Sequence, residues 1–230
     1  ASFPDKFAWM LFAKINQKAN KQVTITGTTK TSNNAVWETW PDDAWTFPAS
    51  PNPDNPPRWP EDAQNEPRKS LRGRALGAPS PAQEGADVLG PKGKPLDPRG
   101  FYAKGGPSVG EEVRRNKPTF DYIIDNGLWY REGIAAFFAK AAATATNEVQ
   151  FAARAVTFPR DSIEVKGNWI VIKEEDKPRF HWNYNTDGQL LGLVAMHILS
   201  KDLPSWFWCT FEHEDNPGRG DYIGIHDSFG

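Results

Sequence analysis

Leu190-Leu-Gly-Leu-Val-Ala-Met-His-Ile-Leu199 is followed, after a short polar break, by Trp206-Phe-Trp-Cys-Thr-Phe-Glu-His213, and these two runs carry the main signal for a sheet. The first run is apolar at odd and even positions alike, which is typical of a central strand covered on both faces. The second run alternates, because one of its two faces carries a stripe of apolar residues that ends in a histidine, namely Phe207, Cys209, Phe211 and His213. Together the two runs predict an antiparallel hairpin in the middle of a sheet.

The same period of two predicts further strands on either side of this hairpin. Including its two strands, the predicted strands lie near 148–157, 162–173, 179–184, 190–199, 206–213 and 221–226. Asn185-Thr-Asp-Gly188 is a credible hairpin turn between two of them. Shorter β-branched or aromatic runs at Val23–Thr26 and Val36–Trp40 predict two more extended segments.

Helical spacing is confined to three segments in the N-terminal and middle parts of the chain. The spacing predicts helices over 5–19, from Pro118 to about Leu128, and over 131–143, with Asn126-Gly127 as the end of the second one. The expected fold class is therefore α+β, with a mostly antiparallel sheet or small barrel in the C-terminal half and about three helices packed on one side.

Residues 41–118 have a different composition, because fifteen of the twenty prolines lie there together with nine glycines. Proline removes a backbone donor and fixes φ, so we expect neither a regular helix nor a central strand in this range. We predict one domain, 1–230, from which 41–118 departs as a long irregular surface excursion. Excursions of this length act as covers, as partner-binding arms, or are partly disordered.

Composition excludes several classes of function. The formal net charge of −2 gives no basic face for nucleic acid, and no apolar run approaches the roughly 20 residues of a membrane span. The single cysteine, Cys209, excludes an internal disulfide and a Cys-x-x-Cys-His haem motif within these residues, and we interpret it as a small buried hydrophobe. Ten tryptophans fit a β core better than a sugar-binding platform.

The four histidines all lie in the last fifth of the chain, near strand ends: His181, His197, His213 and His226. Histidine is the commonest metal ligand and can transfer protons near neutral pH. In a simple hairpin, His197 would lie near the turn, roughly 20–25 Å from His213. The simplest metal model therefore joins His213 and His226 with His181 or a carboxylate such as Asp227 or Glu214, and Glu212 or Asp227 would orient a ligand. Copper, iron and zinc suit such ligands, and hydrogen-bonded structural histidines are the alternative.

Several strings in the chain are similar to those of a known group of proteins. These strings are Trp37-Glu-Thr-Trp40, Phe158-Pro159, Ile163-Glu-Val-Lys166 with Trp169, Leu193 to Ile198 with Lys201, Trp206-x-Trp-x-Thr-Phe-Glu-His213-x-Asp-Asn216, and Asp227-Ser-Phe-Gly230. They resemble a group of bacterial exported proteins that are often labelled cytochrome c family proteins. The resemblance implies a periplasmic or extracellular setting, a redox association, and a role for His197 and His213 in ligating a cofactor or facing haem. The resemblance also implies a Cys-x-x-Cys-His haem motif beyond the Asp-Ser-Phe-Gly string, which this chain lacks. A trimmed product, a partner of a separate cytochrome or other protein, and a relative that lost the cofactor are therefore the alternatives.

Two functional hypotheses follow from these observations. The first is an exported redox-associated protein that binds a transition metal, or contacts haem, through histidines on its C-terminal strands. The second is a non-enzymatic binding or assembly module that uses the Pro-rich arm and a Trp-rich surface. No nucleophile with a base at credible spacing points to a hydrolase, and whether the chain is an enzyme stays open.

Overall fold

The fold is α+β, with a curled antiparallel sheet in the C-terminal half that resembles half of a barrel. The structure is a computed structural model that describes residues 3–19, 22–25, 28–31, 34–59, 108–153, 155–185 and 188–213. The predicted fold class is confirmed.

The described helices lie mainly before the long strands. They are α1 (Pro4–Ile15), α2 (Asp43–Thr46), α3 (Lys117–Asp125), α4 (Arg131–Thr144) and α5 (Glu148–Ala153), with 3₁₀ helices at Val36–Thr39 and Glu174–Arg179. All three predicted helices are present. The Asn116 side chain caps α3 by accepting a hydrogen bond from the Thr119 amide, and Gly127 follows the helix at φ +65°.

Seven strands form two sheets among the described residues. They are β1 (Gln22–Ile25), β2 (Thr28–Thr31), β3 (Ser108–Arg115), β4 (Ile163–Val171), β5 (Trp182–Tyr184), β6 (Leu190–Ser200) and β7 (Phe207–Glu212). The strands β1 and β2 form a hairpin, and the larger sheet has the order β3-β4-β6. Along the second edge of β6, β5 pairs with residues 190–192 and β7 with residues 195–200, so these two short strands follow each other end to end.

A bulge in β6 lies where β5 gives way to β7. Opposite β4, Asn168 pairs with Ala195 and Trp169 pairs with Leu193, which leaves Val194 as an extra residue. The bulge changes the alternation of side chains, so that Leu193 and Met196 lie on the same face of the sheet.

The inner face of the sheet, defined as the face that packs on α1 and the 3₁₀ helix at Val36–Thr39, holds the main core. Its buried members are Leu11, Ile15, Ala35, Trp37, Val165, Trp169, Leu191, Met196 and Ile198. Phe207, Cys209 and Phe211 reach α1 from β7, and the rings of Phe12 and Phe211 lie 4.3 Å apart. The predicted apolar stripe of β7 is therefore confirmed.

The opposite surface, the outer face, is covered at one end and open at the other. At the covered end, Phe180, Trp182 and Tyr184 pack on Ile170, Ile172, Leu190 and Val194. At the open end, side chains of four strands align in three rows: Arg115, Glu164, Leu199 and Trp208; Val113, Lys166, His197 and Thr210; and Glu111, Asn168, Ala195 and Glu212.

Three predicted segments differ from the structure. The prediction of a strand at 148–157 is wrong, because these residues begin with the helix α5. The Asn147 side chain caps this helix by accepting a hydrogen bond from the Gln150 amide. The extended segment at Val36–Trp40 is a 3₁₀ helix, since the Glu38 carboxylate turns back to the Ala35 amide. The range 41–118, predicted to be irregular, contains the short helix α2 and the edge strand β3, which lies in the proline-free residues 108–115. The predicted strand 221–226 lies outside the described residues.

Candidate functional site

A buried carboxylate, Glu38, lies between the 3₁₀ helix that carries it and the strand β5. Its Oε2 atom accepts hydrogen bonds from the Ala35 amide at 2.6 Å and from Nε2 of His181 at 2.7 Å. Its Oε1 atom lies 3.4 Å from Nδ2 of Asn183, which also donates to Asn34. The acid thus meets three donors from two chain segments, which satisfies a carboxylate that water does not reach.

A second buried carboxylate, Glu112 on β3, contacts the Trp169 indole. Its Oε1 atom accepts from Nε1 of Trp169 at 3.0 Å, and its Oε2 atom accepts from Nε of Arg114 at 2.9 Å. Arg114 also donates to the carbonyl oxygen of Trp40 at 2.5 Å. The acid is therefore neutralised by a neighbouring cation, which a buried charge requires.

The Trp169 indole joins these two polar groups within the core. Its ring lies 5.9 Å from the His181 ring and stacks on Trp37 at 6.1 Å, measured between centroids. The contacts of Glu38, Trp37 and Trp40 join the segment 34–40 to β3, β4 and β5. Sequence reasoning missed Glu38 and Glu112 as structural residues. The one available signal was an acid between the aromatic residues of Trp37-Glu-Thr-Trp40.

The structure brings the backbones of His181 and His213 together at the bulge of β6. The Leu193 amide donates to the carbonyl oxygen of His181 at 2.9 Å, and the His213 amide donates to that of Val194, also at 2.9 Å. The two imidazole rings lie on different faces of the sheet. His181 contacts Glu38 on the inner face, whereas His213 stacks on Phe180 at 4.3 Å and donates from Nε2 to the carbonyl oxygen of Arg179 at 2.9 Å.

His197 lies on the exposed part of the outer face. It pairs across the sheet with Thr210, and its Nδ1 atom lies 2.8 Å from the hydroxyl oxygen of that residue. Val194 accepts the His213 amide, so three positions of β6, or about 10 Å, separate the two histidines along the strand. The predicted separation of 20–25 Å is wrong, because His197 pairs farther from the turn than a simple hairpin would place it.

The predicted metal site is only partly covered by the structure. Among the described residues, no three His, Cys, Asp or Glu side chains are placed to hold one metal ion. His226 and Asp227 lie outside those residues, so the ligand set of His213, His226, His181 and Asp227 stays a prediction. Cys209 lies half-buried against the inner core, and desolvation raises the pKa of its thiol to about 11, which fits a packing role.

The outer face holds the most exposed tryptophan of the chain. Trp208 is 67% exposed, whereas eight of the ten tryptophans are buried or half-buried. Two ion pairs lie on the same face: Arg115 contacts Glu164 at 2.8 Å, and Lys166 contacts Glu111 at 2.9 Å. The core interpretation of the tryptophans thus holds for most of them, and Trp9 and Trp208 depart from it.

Comparisons with known proteins add no family to this description. No protein-family model matches the chain, and searches of curated proteins and of solved structures found no significant similarity. Within the described residues, no helix combines the length and the apolar character needed to cross a bilayer.

Proposed function

We propose that this chain is a non-enzymatic binding or assembly module whose outer face binds a protein partner. The observation that supports this most is Trp208, a large apolar side chain held in the open on a regular sheet. Tryptophan and arginine dominate the binding energy of protein interfaces, where they are surrounded by polar groups that contribute less. On the outer face the exposed Trp208 lies in one row with Leu199 and with Glu164, whose carboxylate pairs with the nearly buried Arg115.

The sheet gives this surface the rigidity that a binding site needs. Each of its four strands is hydrogen-bonded to a neighbour, and the inner face below it is packed on α1. A partner would therefore meet preformed side chains, which lowers the entropy lost on binding. The charged pairs also favour a protein over an apolar ligand, because they supply both signs of charge at the rim.

The experiment that tests this proposal is photo-crosslinking in the source cells. A photoreactive amino acid replaces Thr210, which is exposed on the outer face, and in a second variant it replaces Val149 on α5, which is 79% exposed on another surface. We expect one defined protein adduct from position 210 that position 149 does not give. The absence of a specific adduct at position 210, or the same adducts at both positions, would contradict the proposal.

The redox association that the resemblance implies is a second candidate function, and the position of His197 favours it. This histidine is exposed in the middle row of the outer face, where the haem edge of a partner cytochrome would meet it. The described histidines do not converge on one metal ion, so this candidate rests on contact with a partner's haem or on residues beyond Glu212 and His213. The redox candidate agrees with the periplasmic or extracellular setting that the resemblance implies. In either candidate function, the Pro-rich arm would add contacts to the partner.

Metal and haem measurements test the redox candidate separately. The untagged chain is purified, its copper, iron and zinc contents are measured, and haem and a c-type cytochrome are then added in turn. Stoichiometric metal, or a change in the haem absorption bands that His197→Ala abolishes, would support a redox role. Metal-free protein that leaves both spectra unchanged would remove it without affecting the crosslinking result.

A further inference from the structure

One side of α1 carries apolar and basic side chains that the fold leaves exposed. The helix buries Ala8, Leu11 and Ile15 against the inner core. The opposite side, named the α1 surface here, consists of Phe3, Lys6, Trp9, Met10, Ala13 and Lys14. Phe3 is 65% exposed, Met10 61% and Trp9 44%. Three large apolar side chains exposed next to each other on one helix indicate a surface that contacts a partner molecule or a membrane.

The charges of the α1 surface are all positive. Lys6, Met10 and Lys14 lie four residues apart, so they form one stripe along the helix. Asp5 is half-buried at the border of the surface and does not belong to the stripe.

The two lysines of α1 belong to the lysines that form no ion pair with a described carboxylate, as do Lys140 and Lys201. Four other lysines in the described ranges each contact a carboxylate within the chain, namely Lys117, Lys166, Lys173 and Lys177. Over the same ranges, no ion pair joins Lys6 or Lys14 to a carboxylate. Their charge is therefore available to an external anion.

We propose that the α1 surface binds an anionic lipid bilayer, with α1 lying in the plane of the membrane interface. Exposed Trp and Met side chains flanked by lysines are the composition that such interfacial helices use. Trp9 suits the headgroup region because it has a large apolar ring and one polar N–H group. The lysine stems cover apolar surface while their ammonium groups reach lipid phosphates. Protein interfaces are depleted in lysine, which favours a lipid over a protein as the occupant.

Vesicle sedimentation of the full chain tests this inference. The vesicles contain phosphatidylcholine with about one third phosphatidylglycerol, and pure phosphatidylcholine vesicles serve as the neutral comparison. We expect binding to the anionic vesicles that weakens as salt is added. The double variant Lys6→Gln, Lys14→Gln and the single variant Met10→Asp should each lower the partition coefficient by about tenfold or more.

A matched control comes from the exposed side of α4 and α5. The double variant Lys140→Gln, Val149→Asp also removes one positive charge and one exposed apolar side chain, and it should bind like the wild type. All substituted side chains are exposed, and circular dichroism checks that each variant stays folded. The inference is overturned if the wild type does not sediment with anionic vesicles, if it binds neutral vesicles equally well, or if control and α1 variants lose binding alike. Sedimentation equilibrium without lipid adds a last outcome, since a dimer that Met10→Asp dissociates would assign the α1 surface to a second copy of the chain.

Discussion

The Nε2 atom of His181 lies 2.7 Å from Oε2 of Glu38, a contact between residues 143 positions apart in the chain. The Glu38 side chain has no solvent exposure, whereas His181 is partly exposed at the edge of the core. This contact fastens the segment 34–40 to the start of β5. For His181 it agrees with the hydrogen-bonded structural histidine that the sequence offers as the alternative to a metal ligand.

The Glu38 contact predicts a large cost for a small substitution. Glu38→Gln keeps the side-chain volume but removes an acceptor from three donors that remain in place, so we expect the free energy of unfolding to fall by about 2 kcal/mol. Chemical denaturation measures the loss. Glu175→Gln is the matched control, because this carboxylate is mostly exposed on a 3₁₀ helix and its loss should cost less than about 0.5 kcal/mol. Equal losses of unfolding free energy for the two variants would show that the hydrogen bonds of Glu38 do not stabilise the fold.

The two faces of the sheet predict opposite results for two tryptophans. Trp169→Phe removes the indole N–H that Glu112 accepts and leaves space in the inner core, so it should destabilise the fold by about 2–3 kcal/mol. Trp208→Ala acts on an exposed side chain and should change stability by less than about 1 kcal/mol. Thermal unfolding of both variants checks the assignment of faces. A larger loss for Trp208→Ala than for Trp169→Phe would reverse it.

At the covered end of the outer face, any side chain added at Gly192 should lower the stability of the fold. A Cβ atom there would lie 2.9 Å from Phe180 Cδ1 and 2.9 Å from Ile172 Cγ2, so Gly192→Ala must displace the ring on which His213 stacks. We expect a loss of about 1–3 kcal/mol and a shift of the His213 ring signals in NMR spectra. Gly188→Ala meets no atom within 4 Å, and its cost should be limited to about 1 kcal/mol of backbone strain at φ +78°. Unmoved His213 signals in Gly192→Ala would contradict the stacking.

Burial of Cys209 predicts slow reaction of its thiol with alkylating agents. Desolvation raises its pKa to about 11 in the folded chain. At pH 8 the folded chain should thus hold about 100-fold less thiolate than the unfolded chain, and it should react correspondingly more slowly with iodoacetamide. The contribution of this group to stability is fully present below about pH 9 and is lost as the pH rises through 11. A folded-state reaction profile with a midpoint near pH 8.5 would contradict this environment.

Local patterns in the sequence predict most of the sheet, because alternation is a property of neighbouring residues. Leu190–Leu199 and Trp206–His213 indicate β6, β7 and their pairing, and the polar turn at 185–188 indicates the hairpin of β5 and β6. The bulge at Val194 could not be predicted in this way, since it depends on the register that β4 imposes. This bulge, together with the pairing of His197 with Thr210, sets the distance between His197 and His213.

The other wrong or missing predictions depend on particular side-chain hydrogen bonds that residue periodicity does not show. Alternating Val149 and Phe151 are compatible with a strand, but the Asn147 cap begins a helix over the same residues. The grouping of Glu38 with His181, and of Glu112 with Trp169, joins residues far apart in the chain, and no local pattern carries that information. His181, His197 and His213 lie on or beside neighbouring strands of one sheet, while the partners of His181 and Trp169 had to come from the structure.

The Kd of the partner captured at Thr210 shows whether the outer face binds a protein through Trp208. The partner is purified and titrated by calorimetry against the wild-type chain, Trp208→Ala and the control Val149→Ala. We predict that Trp208→Ala raises the Kd by about tenfold or more, as expected for an interface anchor, and that Val149→Ala leaves it unchanged within about twofold. A Kd that Trp208→Ala does not change would contradict the claim that the outer face binds a protein through Trp208.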